Sequence, residues 1–557
     1  MERMMKTEKM ISGAYGVRDE RVRDYIMPKH VVFKTGNAEN TKMLLKKRVP
    51  QLTLSSSDYS VLTGAGTSVM LDFGMEFSGS VKIFVQGVVC ESQRARLGIR
   101  FGESVSEAMT PIGDKNATND EANRDFVIEV GTLTANETNE SGLRFVCITL
   151  LDDATVKLGG VMGVFYHRDI QLRGSFECSD ERLGQIWKTA AYTVFLNMQN
   201  YLWDGVKRDR LVWAGDMHTE VRTMLAAFGE NDIVPSSLEL LADKTPEGRW
   251  MNNIPSYSLW WLMILRDWHV ATGDTTLLTE KKEFVFELIS RLMASVGEDG
   301  REELEDFRFL DWQTSKDPIA THEGLQGLMK LGMDACETLA KAAGNDELAD
   351  ECRECARRVS SHIPEITPSK QAAAMLALSG ICDARDMNER IIALGGAHGY
   401  STFMGYYILK AKAEAGDVNG ALDDIRAYWG GMLDMGATTF WEDFNIDWMD
   451  NSYRIDDVPR KGLRDIHGDF GDYCYKGLRH SLCHGWASGP CAFLSEYVLG
   501  VRQTGYLSYD VKPNLGELDF ARGKYPTPLG DIEVDVRRRG QRISVKVKAP
   551  HGVKIRK

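Results

Sequence analysis

The chain lacks the features of membrane, secreted and nucleic-acid-binding proteins. No run approaches the ~20 apolar residues that a membrane-spanning helix needs. Its first residues, Met-Glu-Arg-Met-Met-Lys-Thr-Glu-Lys-Met, contain no apolar segment typical of a signal peptide. The net charge is −13 over 557 residues, without a long basic block. We therefore expect a cytoplasmic chain with neither nucleic acid nor membrane as partner, while export by a leader outside this sequence stays open.

Motifs for metals and nucleotides are also lacking. Of ten cysteines, only Cys352 and Cys355 form a C-x-x-C pair, and no second pair completes a zinc tetrad. The sequence has no P-loop, no G-x-G-x-x-G after a strand, no G-x-S-x-G elbow and no H-E-x-x-H. These absences argue against nucleotide-dependent, serine-hydrolase and zinc-protease activities. We expect reduced thiols, no cofactor and no metal.

The chain is too long for one hydrophobic core, so two or three domains are expected. Between 59 and 168, short β-rich runs alternate with glycine and Asn/Asp clusters, as in an antiparallel sandwich. After about 505, runs at 531–536 and 542–547 flank Arg539-Gly540-Gln541 and predict a β-hairpin.

Between these β-rich parts, apolar residues follow a helical period. Ser179 is a candidate N-cap for the first helix, with Asp180 and Glu181 in its first turn. About eleven further helical runs follow, at 219–229, 236–243, 257–271, 276–297, 323–343, 346–361, 369–379, 386–394, 401–415, 418–429 and 485–500.

A faint repeat runs through the helical part. Helices are predicted to end at Gly273-Asp274, Gly344-Asn345 and Gly416-Asp417, at spacings of 71 and 72 residues. Glycine after a helix, followed by Asp or Asn as the next N-cap, is typical of a helix–turn–helix joint. The repeat predicts stacked helical hairpins, arranged either as an open solenoid or as a closed α/α toroid.

The stretch Trp203–Asp216 combines many charged and aromatic residues. It contains three aspartates, three cations and two tryptophans, and it follows neither a helical nor a strand period. Carboxylates beside tryptophan are typical of a sugar site, where aromatic faces cover C–H surfaces and acids handle hydroxyls or protons. A charged loop whose ion pairs join two helices is the equally plausible structural alternative.

Glu442 is the candidate second carboxylate, in Gly436-Ala-Thr-Thr-Phe-Trp-Glu442. Glycoside hydrolysis commonly uses two carboxyl groups, one protonating the leaving oxygen and the other activating water or attacking the anomeric carbon. Taken alone, Glu442 could equally be an acid that caps a helix. Further polar and aromatic clusters occur at Asp311-Trp312 and at His484-Gly-Trp486. Alone, His484 is more often a hydrogen-bonded core histidine than a catalytic one.

These segments resemble the motifs of bacterial α-L-rhamnosidases of glycoside hydrolase family 78. Asp204–Asp216 resembles the family's Asp-x-Pro-x-Arg-Glu-Arg-x-x-Trp-x-Gly-Asp, and Gly436–Glu442 its Gly-Ala-Thr-Thr-x-Trp-Glu. Two weaker matches, Ser481–Pro490 and Phe520–Gly530, follow in family order. The likeness covers roughly residues 60–557.

The resemblance implies a multidomain, mainly α fold. An N-terminal antiparallel β-sandwich domain with a polar leading segment would span 1–172, an (α/α)6 six-hairpin catalytic toroid 173–503, and a small C-terminal β-domain 504–557. It also implies inverting hydrolysis of terminal α-L-rhamnosides. The expected partner is therefore a carbohydrate substrate, and homo-oligomerisation stays open.

The resemblance also assigns roles to individual residues. Asp209 matches the general acid and Glu442 the general base, while Asp204 and Asp216 match acids that hold the sugar. The remaining expected pocket residues are Arg208, Trp213, Asp311, Trp312, Trp441 and His484.

Two departures from the family motif are relevant. Val206 replaces the usual proline, and Asp209 replaces the usual glutamate acid, so its carboxyl lies on the order of 1.5 Å further back. Proton donation needs contact at about 2.6–3.2 Å, so a backbone shift or a different leaving group must compensate.

Three alternatives to a rhamnosidase remain at this level. A related toroid could act on another sugar or by another reaction such as lysis of a uronate, because fold does not fix function. Aspartate at position 209 fits a weakly active or non-catalytic glycan-binding protein. An α-solenoid scaffold would have no cleft with convergent carboxylates.

Overall fold

The computed structural model of the protein describes residues 19–117, 123–473 and 475–556. Predictions that concern residues 1–18, 118–122, 474 and 557 lie outside the described residues. The described chain divides into an N-terminal sheet, a long helical part and smaller C-terminal sheets.

An eight-stranded antiparallel sheet forms the N-terminal part. Residues 155–158 of one strand pair both with 60–63 and with 85–89 of the same thirty-residue strand. The sheet therefore curls over an apolar core that includes Leu71, Ile99 and Ile148. The strands are β1 (Arg21–Ile26), β2 (His30–Glu39), β3 (Ser60–Val89), β4 (Arg94–Gly102), β5 (Asp125–Gly131), β6 (Thr134–Glu137), β7 (Ser141–Leu150) and β8 (Thr155–Arg168).

The helical part follows the sequence pattern closely, with shifted ends and three interruptions. The predicted run 276–297 divides at Lys281, and 386–394 and 485–500 each continue into a π-helical turn, at Asn388–Ile392 and Leu494–Val498. The α-helices of the described residues are α1 (Val105–Met109), α2 (Glu181–Asn197), α3 (Ala214–Ala227), α4 (Ile233–Lys244), α5 (Pro255–Thr272), α6 (Thr276–Glu280), α7 (Lys282–Ala294), α8 (Pro318–Ala342), α9 (Asp346–Ser360), α10 (Lys370–Ser379), α11 (Ala384–Met387), α12 (Gly405–Glu414), α13 (Val418–Asp434) and α14 (Gly489–Phe493).

The predicted glycine ends are confirmed by their backbone geometry, and the predicted N-caps at two of the three joints, since Thr275 and not Asp274 is the N-cap of α6. Gly273, Gly344 and Gly416 all adopt left-handed φ values of 73°, 71° and 89°, which glycine accepts without a steric penalty. Asn345 then accepts a hydrogen bond from the Leu348 amide as N-cap of α9, and Asp417 does the same for Gly420 in α13.

The prediction that Ser179 caps the first helix is wrong. Asp180 is the N-cap of α2, and its side chain accepts a hydrogen bond from the Arg182 amide at 2.9 Å. Ser179 Oγ instead accepts a hydrogen bond from the Asp519 amide at 3.0 Å, which ties the start of α2 to the C-terminal part. Aspartate and serine cap helices about equally well, so the tertiary contact decides between them.

The C-terminal part contains the predicted hairpin, in which Arg539 pairs with Arg542. A strand that precedes α2 in the sequence joins the same sheet, with Cys178 opposite Ala521, and this pairing had no local sequence signal. The remaining strands are β9 (Ser175–Cys178), β10 (Ser452–Tyr453), β11 (Arg464–Asp465), β12 (Val501–Gly505), β13 (Ser508–Val511), β14 (Phe520–Thr527), β15 (Gly530–Arg539), β16 (Arg542–Lys548) and β17 (Lys554–Arg556). None of the described helices has the length and apolarity that crossing a membrane requires.

Candidate active site

The stretch after α2 is irregular, as its sequence predicts, and Asp204 organises it. The buried Asp204 carboxylate accepts hydrogen bonds from the amides of Asp209 at 2.9 Å and Leu211 at 3.0 Å. These bonds fold the loop back on itself and fix the backbone of Asp209. Burial raises the pKa of Asp204 to about 7, against the opposing charge of His484.

Asp216 and Glu442 approach each other across His484. Asp216 lies in the first turn of α3, and its Oδ1 is 2.9 Å from His484 Nε2. The other ring nitrogen, Nδ1, lies 3.9 Å from Glu442 Oε1. Three segments more than 40 residues apart in sequence thus meet at one buried imidazole.

Glu442 is held by the segment that precedes His484. Its Oε2 accepts a hydrogen bond from the Ser481 amide at 2.9 Å, and its own amide donates to the Ser481 carbonyl at 2.9 Å. Burial raises the pKa of Glu442 to about 7, while the charges of His484 and Arg208 and the Ser481 hydrogen bond act in the opposite direction. A carboxyl with a pKa near 7 is suited to act as a base at neutral pH.

Asp209 is the most accessible carboxyl of the group, with 23% of its side chain exposed. Its Oδ1 accepts a hydrogen bond from Arg208 Nε at 3.0 Å and forms an ion pair with a terminal nitrogen of the same guanidinium, also at 3.0 Å. The arginine thereby fixes one carboxyl oxygen of Asp209, which is a residue of the pocket wall.

The four carboxyls line one pocket with a cavity volume of about 90 Å³. Aromatic rings dominate the remainder of its wall, and Arg208, His484 and Ile254 complete it. The aromatic residues are Trp213, Tyr257, Phe307, Phe309, Trp312, Tyr475 and Trp486. Such a wall combines apolar faces with a few convergent polar groups, as small-molecule sites do.

A larger groove of about 1080 Å³ lies beside the C-terminal sheet. Charged side chains on its wall pair with one another, as in Arg522–Glu177 at 2.7 Å and Lys524–Glu533 at 3.6 Å. These are solvated ion pairs on a sheet face. The candidate active site is therefore the smaller pocket, where buried carboxyls converge.

Most of the predicted site residues line this pocket. The structure places eight of them in its wall: Asp204, Arg208, Asp209, Trp213, Asp216, Trp312, Glu442 and His484. Asp311 and Trp441 lie behind the wall instead. Asp311 is buried and accepts a hydrogen bond from Ser401 Oγ, and the fully buried Trp441 packs edge-on against Phe444. Direct contact of these two with a sugar stays a prediction.

Sequence reasoning missed six wall residues: Ile254, Tyr257, Phe307, Phe309, Tyr475 and Trp486. Tyr257 belongs to the apolar pattern of α5, so nothing marked it as a site residue, yet its hydroxyl lies 3.5 Å from Asp216 Oδ2. Trp486 stood in a polar-aromatic cluster, which is the signal that could have identified it. Its ring packs on His484 with centroids 4.4 Å apart.

One group of described side chains has ligand atoms close enough together to hold a metal ion: Glu103, Glu107 and His467. The buried ammonium of Lys207 already lies 2.9 Å from Glu103 and 3.4 Å from Glu107. The lysine supplies the positive charge that these carboxylates need, so the cluster fits an internal ion pair better than a metal site.

Two parts of the chain match known family models. Residues 171–366 match the bacterial alpha-L-rhamnosidase 6 hairpin glycosidase domain, and residues 500–556 match the bacterial alpha-L-rhamnosidase C-terminal domain. Two parts of the chain are thus similar to bacterial α-L-rhamnosidase domains. No curated protein matches it.

Solved rhamnosidases share its fold. A GH78 family rhamnosidase of Bacillus sp. GL1 superposes with a TM-score of 0.72 at 20% identity, over 92% of this chain and 55% of its own. A rhamnosidase from Klebsiella oxytoca with rhamnose bound superposes with a TM-score of 0.68 at 19% identity, over 88% of this chain and 98% of its own. The α-L-rhamnosidase of Streptomyces avermitilis, complexed with L-rhamnose, superposes with a TM-score of 0.66 at 16% identity, over 88% of this chain and 49% of its own. This chain therefore spans about half the length of the Bacillus and Streptomyces relatives and nearly all of the Klebsiella one.

Proposed function

We propose that the protein is a glycoside hydrolase that removes terminal α-L-rhamnose by a single displacement with inversion. One observation carries the proposal: the carboxyls of two separate sequence motifs converge in one aromatic-walled pocket. The two rhamnosidase domain matches and the rhamnosidase fold support the choice of sugar.

The proposal includes the domain arrangement. We infer a β-sandwich domain over 1–172, an (α/α)6 toroid over 173–503 and a C-terminal β-domain over 504–557. The glycine joints at Gly273, Gly344 and Gly416 and the six-hairpin domain match support closure of the helical hairpins into a toroid.

In the proposed mechanism, Asp209 is the general acid. Arg208 hydrogen-bonds to Oδ1, so Oδ2 is the oxygen that carries the proton to the glycosidic oxygen. That proton transfer lets the bond between the anomeric carbon and the leaving oxygen break without expelling an alkoxide.

Glu442 is the proposed general base. In its ionised form it takes a proton from a water molecule, which attacks the anomeric carbon from the face opposite the leaving group. The water oxygen becomes the new anomeric hydroxyl, so the α-glycoside yields β-L-rhamnose. Asp209 has then lost one proton and Glu442 has gained one, and exchange with solvent restores both.

Asp204, Asp216 and His484 are proposed to hold the sugar. Burial raises the pKa of Asp204 to about 7, so near neutral pH this carboxyl is partly protonated, and burial also raises the pKa of Asp216 well above its ordinary value. Protonated carboxyls can donate as well as accept hydrogen bonds, which suits them to sugar hydroxyls. Ring faces such as that of Trp312 would cover the apolar side of the sugar.

A panel of 4-nitrophenyl glycosides tests the substrate assignment. We expect turnover of the α-L-rhamnoside to exceed that of other glycosides. The Asp209→Asn and Glu442→Gln variants remove the acid and the base with little change in volume. Turnover by both variants at the wild-type level would contradict the catalytic assignment, and an unsaturated sugar product would indicate a lyase.

A further inference from the structure

The N-terminal sheet reaches the two segments that carry the proposed acid and base. Glu103 follows β4 and is only 1% exposed. Its Oε2 lies 2.9 Å from Lys207 Nζ and accepts a hydrogen bond from the Leu482 amide at 2.7 Å. Lys207 lies two residues before Asp209, and Leu482 lies next to the residue whose amide binds Glu442.

On the side of the base, a continuous series of hydrogen bonds links Glu103 to Glu442. Ser481 Oγ has Glu103 Oε1 at 3.3 Å and the Cys483 carbonyl at 3.1 Å as acceptors, and the Ser481 amide donates to Glu442 Oε2 at 2.9 Å. Glu103 therefore holds both the side chain of Ser481 and the amide that follows it. A displacement of this segment would move the hydrogen bond that orients the base.

On the side of the acid, two backbone carbonyls and two carboxylates surround the Lys207 ammonium. Its ammonium donates to the carbonyls of His480 at 2.7 Å and Leu478 at 3.1 Å, besides its contacts with Glu103 and Glu107. The lysine thus joins the acid loop to the segment that holds the base. Because the ammonium is fully buried, it needs these charged partners to stay in place.

The same sheet also contacts the Gly436–Glu442 segment. Arg144 of β7 donates to the Gly436 carbonyl at 3.0 Å, and the Glu76 amide donates to Thr438 Oγ1 at 2.9 Å. The segment that contains Glu442 and the segment that hydrogen-bonds to it, around Ser481, therefore both contact the N-terminal part.

We propose that Glu103 is a positioning residue for hydrolysis, through which the N-terminal domain fixes the acid and base segments relative to each other. The inference rests on the proposed function, since it assigns Glu103 a role through Asp209 and Glu442. It also makes the N-terminal domain part of the catalytic apparatus and not only a neighbour of it.

The variant Glu103→Gln tests this proposal because it keeps the volume and removes the charge. An ion pair elsewhere between the N-terminal sheet and the helical part provides the matched control. Arg168 of β8 donates to the Gln199 carbonyl at 2.9 Å and pairs with Asp232 at 2.9 Å, far in sequence from Glu442. Arg168→Met therefore removes an interdomain contact whose partners, Gln199 and Asp232, lie outside both Trp203–Asp216 and Gly436–Glu442.

We expect kcat of Glu103→Gln on an aryl α-L-rhamnoside to fall about 10- to 100-fold, with KM changed less than about threefold, because misplacement of a catalytic group lowers the rate of the chemical step. The acidic limb of its pH profile should move to higher pH, because the hydrogen bond from the Ser481 amide lowers the pKa of Glu442 and would be weakened. The charges of Arg208 and His484 also lower this pKa, whereas the charge of Asp209 raises it. Arg168→Met should lose stability but keep kcat and the pH profile.

Amide hydrogen exchange over 478–484 gives a readout that needs no turnover. Exchange there should increase in Glu103→Gln and stay unchanged in Arg168→Met.

If Glu103→Gln does not fold, Ser481→Ala, which leaves the Glu103–Lys207 pair intact, should still lower kcat several-fold. Wild-type protein without glycosidase activity would contradict the proposed function. Active wild-type protein with normal kcat and normal exchange in these variants would overturn the role of Glu103.

Discussion

Replacing the proposed base with its neutral isostere should abolish activity and stabilise the protein above neutral pH. Glu442 is buried, and its pKa is raised from 4.5 to about 7. An ionised Glu442 is therefore unfavourable in the folded state relative to the unfolded chain. This shift corresponds to about 3 kcal/mol, because one pH unit of pKa difference is worth about 1.4 kcal/mol.

The sign of the effect follows from linkage. Below about pH 4.5, Glu442 is protonated in both states and costs nothing. Between about pH 4.5 and 7 the unfolded chain ionises while the folded protein keeps its proton, so the free energy of unfolding falls over this range and levels off above pH 7. Glu442→Gln cannot ionise and should not show this loss, so its advantage over the wild type grows from about pH 4.5 to pH 7 and stays constant above that.

Thermal melting at several pH values measures this difference. The Tm of Glu442→Gln should match that of the wild type near pH 4.5 and exceed it by several degrees at pH 8, while kcat falls by orders of magnitude. Glu287→Gln, on the exposed face of α7, is the matched control and should show no pH-dependent difference. A Tm difference that does not depend on pH, or that favours the wild type at pH 8, would refute the reasoning.

Three further predictions concern the acid, the base and the aromatic wall. Asp209→Asn should lower kcat by about 10²- to 10⁴-fold on alkyl rhamnosides but much less on a dinitrophenyl rhamnoside, whose leaving group needs no proton; equal losses on both would contradict its role as acid. The wild-type kcat/KM should rise with pH through about 7 as Glu442 ionises, and a limb near pH 4.5 would show that burial does not raise its pKa. Trp312→Ala should raise KM by up to about tenfold with little change in kcat, as expected for loss of a ring contact worth about 1 kcal/mol; steady-state kinetics with an unchanged KM would remove Trp312 from the sugar contacts.

The local elements of the fold were predictable because they depend on near neighbours in sequence. The helical period between Ser179 and residue 500 anticipated most helices to within a few residues, and left-handed glycines mark the predicted joints. The hairpin β15–β16 was predictable for the same reason. Strand β9 was not, because its partner β14 lies more than 340 residues further along the chain.

The candidate site divides along the same line. The polar-aromatic motifs located eight of the ten predicted residues in the pocket wall, because carboxylates in irregular, tryptophan-containing segments need a functional or ionic reason to be there. Asp311 is buried outside this wall and accepts a hydrogen bond from Ser401, and its contact with a sugar stays a prediction. Tyr257 and Glu103 were missed because their roles depend on contacts between distant segments.

The anomeric configuration of the first product tests the central claim most directly. Proton NMR during hydrolysis of an aryl α-L-rhamnoside should show β-L-rhamnose first, with the α anomer growing only at the rate of mutarotation. This outcome requires Asp209 and Glu442 to lie about 6.5–9.5 Å apart across the bound sugar, with a water molecule between Glu442 and the anomeric carbon. Initial release of α-L-rhamnose would contradict the single displacement and the role of Glu442 as a base.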